Sequence, residues 1–261
     1  MYGKITIRKA DKANVYVILD SQEYVEKLDS LLSDQSKFEQ LISDPTNNLK
    51  VEANKIINEV NGNPDNFKLK KITGEYSPGY IYGNVKIHKE GNPIRPIISQ
   101  ISTPTYELSK TLDNIIKPYI PSKYMLKSRE ELLGILHSNT PQGQIASLDV
   151  TSLFTNVPVE DTIEIILDKV YNSPDMNPPS IPKEQMEKLL KLCTTKCPFY
   201  GPCSKIYIQK DGVSMGSCLG PTFANFYMAN LENKVLKGNN HSPEIYTRYV
   251  DRKSTRLNSS H

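Results

Sequence analysis

No stretch of this 261-residue sequence approaches the continuous apolar run that a membrane span needs, and the opening "MYGKITIRKADK" lacks the apolar middle of a signal peptide. The expectation is a soluble intracellular protein, nuclear or cytoplasmic and not secreted, with no membrane partner. No C-x-x-C pair of the usual structural-zinc spacing occurs. Cys193, Cys197, Cys203 and Cys218 fall in one short region, containing "CTTKCPFYGPC". They read first as unpaired thiols of a reducing compartment and second as a partial zinc site. No internal repeat is visible. Nor is there a bulk excess of positive charge: the formal net charge is +3, but removing Arg252, Lys253 and Arg256 of an unusual tail from the 32 bases leaves 29, equal to the 29 acids. What remains is local clustering, in "IRKADK", "KLKK", and "KIHK" followed by "IRP". Clustering, rather than the total, is what positions a phosphate backbone.

What is present suffices for a core. With 38% apolar residues the chain can form one large domain or two small ones. "ANVYVILD" reads as a short β-branched strand, and "EYVEKLDSLLSDQSKFEQLI" as a helix that runs until "SDPT" stops it. "NGNPDN" and "TGEYSPG" are turn-rich joints. "YIYGNVKIHK" and "IRPIIS" read as strands joined by the hairpin "EGNP". "PTYELSKTLDNIIKPYI", "SREELLGILHSN", "PVEDTIEIILDKVY" and "KEQMEKLLKLC" have helical spacing, and "QIASLDV" is a strand. "KIYIQKDGVSM" reads as a hairpin turning at Asp211 and Gly212, "GPTFANFYMANLENKVL" as a helix that begins at a proline, and "EIYTRYV" as a last strand. This mixture of single strands, hairpins and helices points to an α+β fold rather than regular βαβ winding.

Two strands end in an acid. "IASLDV" is apolar up to Asp149 and "IYTRYVD" up to Asp251. Carboxylates at adjacent strand ends could hold Mg2+, a hard cation that shares oxygen ligands with substrate phosphates; each aspartate could equally cap the element that follows it. Lys86, Lys89 and Arg95 surround the basic hairpin, a geometry suited to gripping a triphosphate or simply to solvation. In "GVSMGSCLGPTFAN", Gly212, Gly216, Gly220 and the small Ser217 leave the backbone open to close approach just ahead of a helix N-terminus. A tight turn without a ligand is the alternative.

Taken in order, these pieces resemble a reverse transcriptase, specifically the Penelope-like branch of retroelements. "KIHK…GNPIRPIIS" resembles the fingers motif and "SLDVTSLFTNVP" the first catalytic motif. "DGVSMGSCLGPTFANFYMANLE" resembles the template and nucleotide motif, and "RYVD" the start of the second catalytic motif. The resemblance runs over nearly the whole chain. It implies right-hand polymerase fingers and a partial palm, whose antiparallel sheet packs on helices, with the thumb missing. It divides the chain into an N-terminal α/β extension (1–75), fingers (76–144), partial palm (145–251) and a tail (252–261).

The resemblance also implies roles. Asp149 and Asp251 would be the catalytic, metal-binding acids of a two-Mg2+ phosphoryl transfer, with the Val150 carbonyl as a further ligand. Lys86, Lys89 and Arg95 would lie over the incoming deoxynucleoside triphosphate, and Met215, Gly216 and Ser217 would form part of the nucleotide floor. Met215 stands where many reverse transcriptases carry glutamine, so that glutamine's hydrogen bond does not transfer. Phe154 matches the position whose ring excludes a ribose 2′-hydroxyl, and Lys9 and Lys12 would touch nucleic acid. An RNA template and a DNA primer are the implied partners.

One departure stands out. The second catalytic motif normally carries two successive aspartates, whereas Asp251 is followed by Arg252. Back-translation of "DRKSTRLNSSH" gives a sequence resembling a common sequencing-library adapter, so residues 252–261 read as non-native and Asp251 itself as ambiguous. The expectation is an RNA-directed DNA polymerase fragment that is inactive as written. Alternatives are a catalytically dead nucleic-acid-binding remnant, a reverse transcriptase of another branch such as an intron maturase, or a non-enzymatic α+β protein whose acids are caps.

Overall fold

The computed structural model describes residues 4–139, 144–237, 243–249 and 252–257, with residues 144–145 and 252–257 described by their backbone alone. It begins with a two-stranded antiparallel ribbon, β1 (Ile5–Lys9) and β2 (Tyr16–Asp20). Asp20 then caps α1 (Ser21–Leu32), its Oδ1 accepting the N–H groups of Gln22 at 2.8 Å and Glu23 at 3.1 Å.

Here the structure corrects the sequence. The helix expected to run to "SDPT" stops at Leu32, because Asp34 draws the Ser36 N–H and hydroxyl into a turn; Phe38–Leu41 is instead strand β3. The "SDPT" stop is also a start. Asp44 Oδ1 accepts the Thr46 N–H at 2.8 Å at the head of α2 (Thr46–Gly62), a helix that the sequence reading passed over. Its buried Leu49, Ala53, Ile56, Ile57 and Val60 repeat at helical spacing.

The basic hairpin is built as expected from β4 (Gly79–Val85) and β5 (Ile94–Ser99), in antiparallel register from Val85–Ile94 to Tyr80–Ser99. Helices α3 (Tyr106–Ile116) and α4 (Arg129–Asn139) follow, then β6 (Gln144–Asp149), α5 (Val159–Tyr171) and α6 (Lys183–Thr195). Strands β7 (Pro198–Tyr200) and β8 (Ile206–Gln209) precede α7 (Gly220–Leu236), and β9 (Tyr246–Tyr249) and β10 (Arg252–Leu257) complete the described elements.

A five-stranded sheet has the order β3-β8-β7-β4-β5, and a three-stranded antiparallel sheet has the order β6-β10-β9. The larger sheet therefore draws strands from the segments 1–75, 76–144 and 145–251. In the smaller one, the stretch expected to be non-native supplies the central strand. One core lies among α2, α3, α5, α6 and α7, with Ile57, Ile166, Met186, Leu189, Phe223 and Phe226 buried; the other lies between α1 and the five-stranded sheet. Full burial of each such side chain contributes roughly 1.5–3 kcal/mol, so the two cores fix how the motif-bearing loops meet. Among the described residues, no helix is long and apolar enough to cross a membrane.

Polar groups hold strand β9 to α7. Arg248, 1% exposed, pairs through Nε with Glu232 Oε1 at 2.7 Å and donates from Nη1 to Asn225 Oδ1 at 2.8 Å. The Tyr246 hydroxyl donates to the same Glu232 oxygen at 2.9 Å. On the other side, the Arg248 N–H donates to the Tyr124 carbonyl at 2.7 Å, and the Leu126 N–H to the Arg248 carbonyl at 2.8 Å. The strand leading toward Asp251 is thus fixed to a helix and to the 124–126 segment.

Candidate active site

Asp149 is the last residue of β6, and its side chain is exposed. Val150 follows it, half-buried against the helical core. Asp251 lies outside the described residues. Its sequence neighbour Arg252 is the register partner of both Asp149 on β6 and Tyr249 on β9. An arginine, not a carboxylate, therefore occupies the position directly across from Asp149.

Beyond Asp149 the chain enters a short 3-10 turn, Phe154–Asn156. Phe154 is half-buried, and its carbonyl accepts the Val213 N–H at 2.8 Å. A Cβ on Gly220 would stand 3.6 Å from the Phe154 ring, so that ring packs against the head of α7. Residues after Gly212 do not form the return strand that the sequence suggested. Glycine at φ +76° lets the chain pass the Thr155 backbone, where a Cβ would come within 2.8 Å of the carbonyl oxygen; Val213 bonds Phe154 rather than β8. Asp211, at the expected turn, uses Oδ1 to accept the Val159 N–H at 3.1 Å and so caps α5.

The same loop then docks on β5. The Ile98 N–H donates to the Met215 carbonyl at 2.8 Å, and a Cβ on Gly216, at φ +118°, would lie 2.5 Å from the Ile98 carbonyl oxygen. The open backbone read as room for a ligand is filled, on these faces, by the 3-10 turn at Thr155 beside Gly212 and by strand β5 beside Gly216. Gly216 is still exposed, Met215 is half-buried, and Ser217 is buried with its Oγ accepting the Leu219 N–H at 3.3 Å. Segments after Asp149, before α7 and along β5 are therefore interlocked.

Lys86, Lys89 and Arg95 gather at the far end of the β4–β5 hairpin. The Lys86 N–H donates to the Pro93 carbonyl at 2.8 Å and the Lys89 N–H to the Lys86 carbonyl at 3.0 Å, closing the turn. Partial burial, and then the like charges of Arg95 and Lys89, hold the Lys86 ammonium below the usual lysine value; Asp11 opposes that shift and Lys12 adds to it. Lys12 thus joins the cluster. It is exposed and in the left-handed region at φ +61°, in the turn between β1 and β2. Lys9 is exposed on β1 opposite Tyr16. The acid in the cluster, Asp11, went unnoticed in the sequence, although one carboxylate inside the basic run "IRKADK" was the available signal.

All four cysteines are free thiols. Cys193 and Cys197 are buried and free, and Cys197 donates toward the Cys193 carbonyl at 3.4 Å. Burial pushes its thiol up to about 11. Among the described residues, no three His, Cys, Asp or Glu side chains are grouped to hold a metal ion.

With this geometry in view, the likeness to solved structures is informative. Apo telomerase from Candida tropicalis is similar with a TM-score of 0.63 at 10% identity, over 98% of this chain and 47% of that one. Telomerase from Candida albicans, in complex with a fragment of telomeric RNA, is similar with a TM-score of 0.59 at 11% identity, over 97% of this chain and 45% of that one. The RNA-dependent RNA polymerase of a human picobirnavirus reaches a TM-score of 0.50 at 9% identity, over 94% of this chain and 57% of that one. The fold is polymerase-like. The chain spans about half the length of the telomerase structures it matches. No protein-family model and no curated protein sequence matches it.

Proposed function

We propose that this chain is the fingers and partial palm of a retroelement reverse transcriptase, of the Penelope-like kind, whose intact parent performs RNA-directed DNA synthesis. The observation that carries this reading is the interlock just described: an exposed strand-end acid, Asp149, follows into Phe154, which meets the loop before α7, which in turn docks on the strand bearing Arg95. These contacts join three of the four ordered motifs, on a fold similar to those of a telomerase and a viral RNA polymerase, which supports the reading. That the Candida albicans telomerase structure contains RNA supports an RNA template as a partner here.

The donors at the end of β6 suit Mg2+, because an exposed carboxylate and an adjacent carbonyl are hard oxygen ligands, and this ion usually takes one or two carboxylates and fills its remaining positions with phosphate and water. Asp149, the Val150 carbonyl and Asp251 would hold it. When bound, Mg2+ would neutralise triphosphate charge and favour ionisation of a primer 3′-hydroxyl. The protein's own contribution is positional. Lys86, Lys89 and Arg95 orient the phosphates, Met215 to Ser217 support the nucleotide, and the half-buried Phe154 ring, backed by Gly220, limits the space beside the sugar.

Arg252 across from Asp149 favours a second reading for the chain as it stands, a nucleic-acid-binding domain without activity. A single primer-extension series on an RNA template with Mg2+ and deoxynucleotides separates the two. The unaltered chain should extend weakly or not at all, Arg252→Asp should gain extension, and Asp149→Ala should abolish that gain. Phe154→Ala in the active background should admit ribonucleotides. Extension that persists without Asp149 removes the catalytic assignment; no gain with Arg252→Asp favours the second reading for this chain; unchanged sugar selection removes Phe154 from the sugar-selecting role.

A further inference from the structure

Asp11 has no role in the reaction proposed above, yet it is the most constrained charge near the basic hairpin. Its N–H donates to the Val85 carbonyl at 2.7 Å, and the preceding Ala10 forms a bridge with Val85, so the β1–β2 ribbon is tied at this point to the end of β4. The carboxylate is 9% exposed. Its Oδ1 lies 3.0 Å from Arg95 Nε, and its Oδ2 is buried without a hydrogen-bond partner. Arg95 Nε, although within ion-pair distance, is also without an aligned hydrogen bond. The contact is therefore coulombic, and a carboxylate so poorly satisfied costs stability rather than adding to it.

The arginine end of the pair is different. Arg95 is 33% exposed, and no described residue hydrogen-bonds its two terminal nitrogens. A guanidinium held by its inner Nε edge keeps the planar fork of those nitrogens for a second anion, and a phosphate fits that fork in bidentate fashion. Arg95, Lys89, Lys12 and Asp11 all lie close enough to Lys86 to act on its charge. Without an anion among them, these like charges would repel.

We infer that Asp11 is a positioning residue for polyphosphate recognition: it holds Arg95 by the inner edge and offsets the repulsion among the surrounding cations, so that the outer fork stays set for the phosphates of a nucleoside triphosphate. This rests on the reading of the hairpin as a nucleotide grip. It also sets two effects of opposite sign against each other. Deleting a negative charge beside a phosphate site by itself tightens anion binding, whereas losing the group that orients the arginine weakens it.

Calorimetric titration of the full chain with dATP and Mg2+, and separately with inorganic tripolyphosphate, distinguishes these. The wild-type chain should bind both, and Asp11→Asn should bind both roughly tenfold more weakly, within the scale of one partly screened ion pair. Arg95→Lys should show a similar loss, and the double variant should be no weaker than Arg95→Lys alone. Far-UV circular dichroism checks that each variant is folded. Equal or tighter binding by folded Asp11→Asn overturns the inference, as do losses that add in the double variant. If Asp11→Asn fails to fold, unchanged affinity in Arg95→Lys overturns it. A wild-type chain that binds neither probe overturns the grip reading itself, and the inference with it.

Discussion

At the residue scale, the candidate site is defined by charges that hold one another in place. Lys86 is informative because its ammonium is disfavoured first by burial and then by Arg95 and Lys89. Arg95→Gln removes one of those like charges and should raise the Lys86 titration midpoint, followed by NMR of its side-chain methylene next to the nitrogen. A midpoint that stays or falls would show that burial alone sets the charge. The sign extends to ligand binding: a group whose value is depressed in the free protein and raised by bound phosphate takes up a proton on binding, so triphosphate affinity should fall as pH rises through the Lys86 midpoint. Single-residue positions were partly legible in the sequence. Asp149 was visible because an apolar strand ended on it, whereas the pairing of Asp11 with Arg95 crosses a long sequence separation and left no periodic trace.

At the element scale, glycine and a buried ion pair do most of the positioning. Gly216→Ala forces a Cβ to 2.5 Å from the Ile98 carbonyl in a left-handed conformation. It should cost about 1–3 kcal/mol in denaturant unfolding and disturb the Met215 contact with β5. Unchanged stability would mean that the loop can leave β5 without loss. Glu232→Ala strips the acid from Arg248 in a site where the two side chains are 1% and 3% exposed, and should cost about 3–5 kcal/mol. A loss under about 1 kcal/mol, the surface-pair scale, would show that Glu232 does not anchor β9.

Elements with strong periodicity, such as α5 and the β4–β5 hairpin, were legible from sequence. The early end of α1 was not, since Leu31, Leu32 and the apolar positions of "KFEQL" continue a helical spacing that only the Asp34 turn and the Phe38–Gln209 strand pairing interrupt. The segment after Gly212 misled for the same reason: a turn dipeptide followed by apolar residues looks like a hairpin until the Phe154 and Ile98 backbones are in place to take its hydrogen bonds.

At the scale of the whole molecule, two cores and two larger sheets bring together motifs spread from the basic turn at Lys12 to the strand at Arg248. The polymerase-like fold is carried by that arrangement and not by sequence identity, which is 9–12% against the solved structures it resembles. The sequence motifs pointed to the same fold because each one marks a turn or strand end that the architecture uses. The position across from Asp149 was beyond their reach, since it depends on the register of β10 between β6 and β9. The most direct test of the account is an electron paramagnetic resonance titration of Mn2+ and dATP, with Mn2+ in place of Mg2+, into the wild-type and Asp149→Asn chains. The account expects a protein-bound Mn2+–dATP signal that weakens at least tenfold in affinity when Asp149 is replaced; the same affinity in both chains would contradict it.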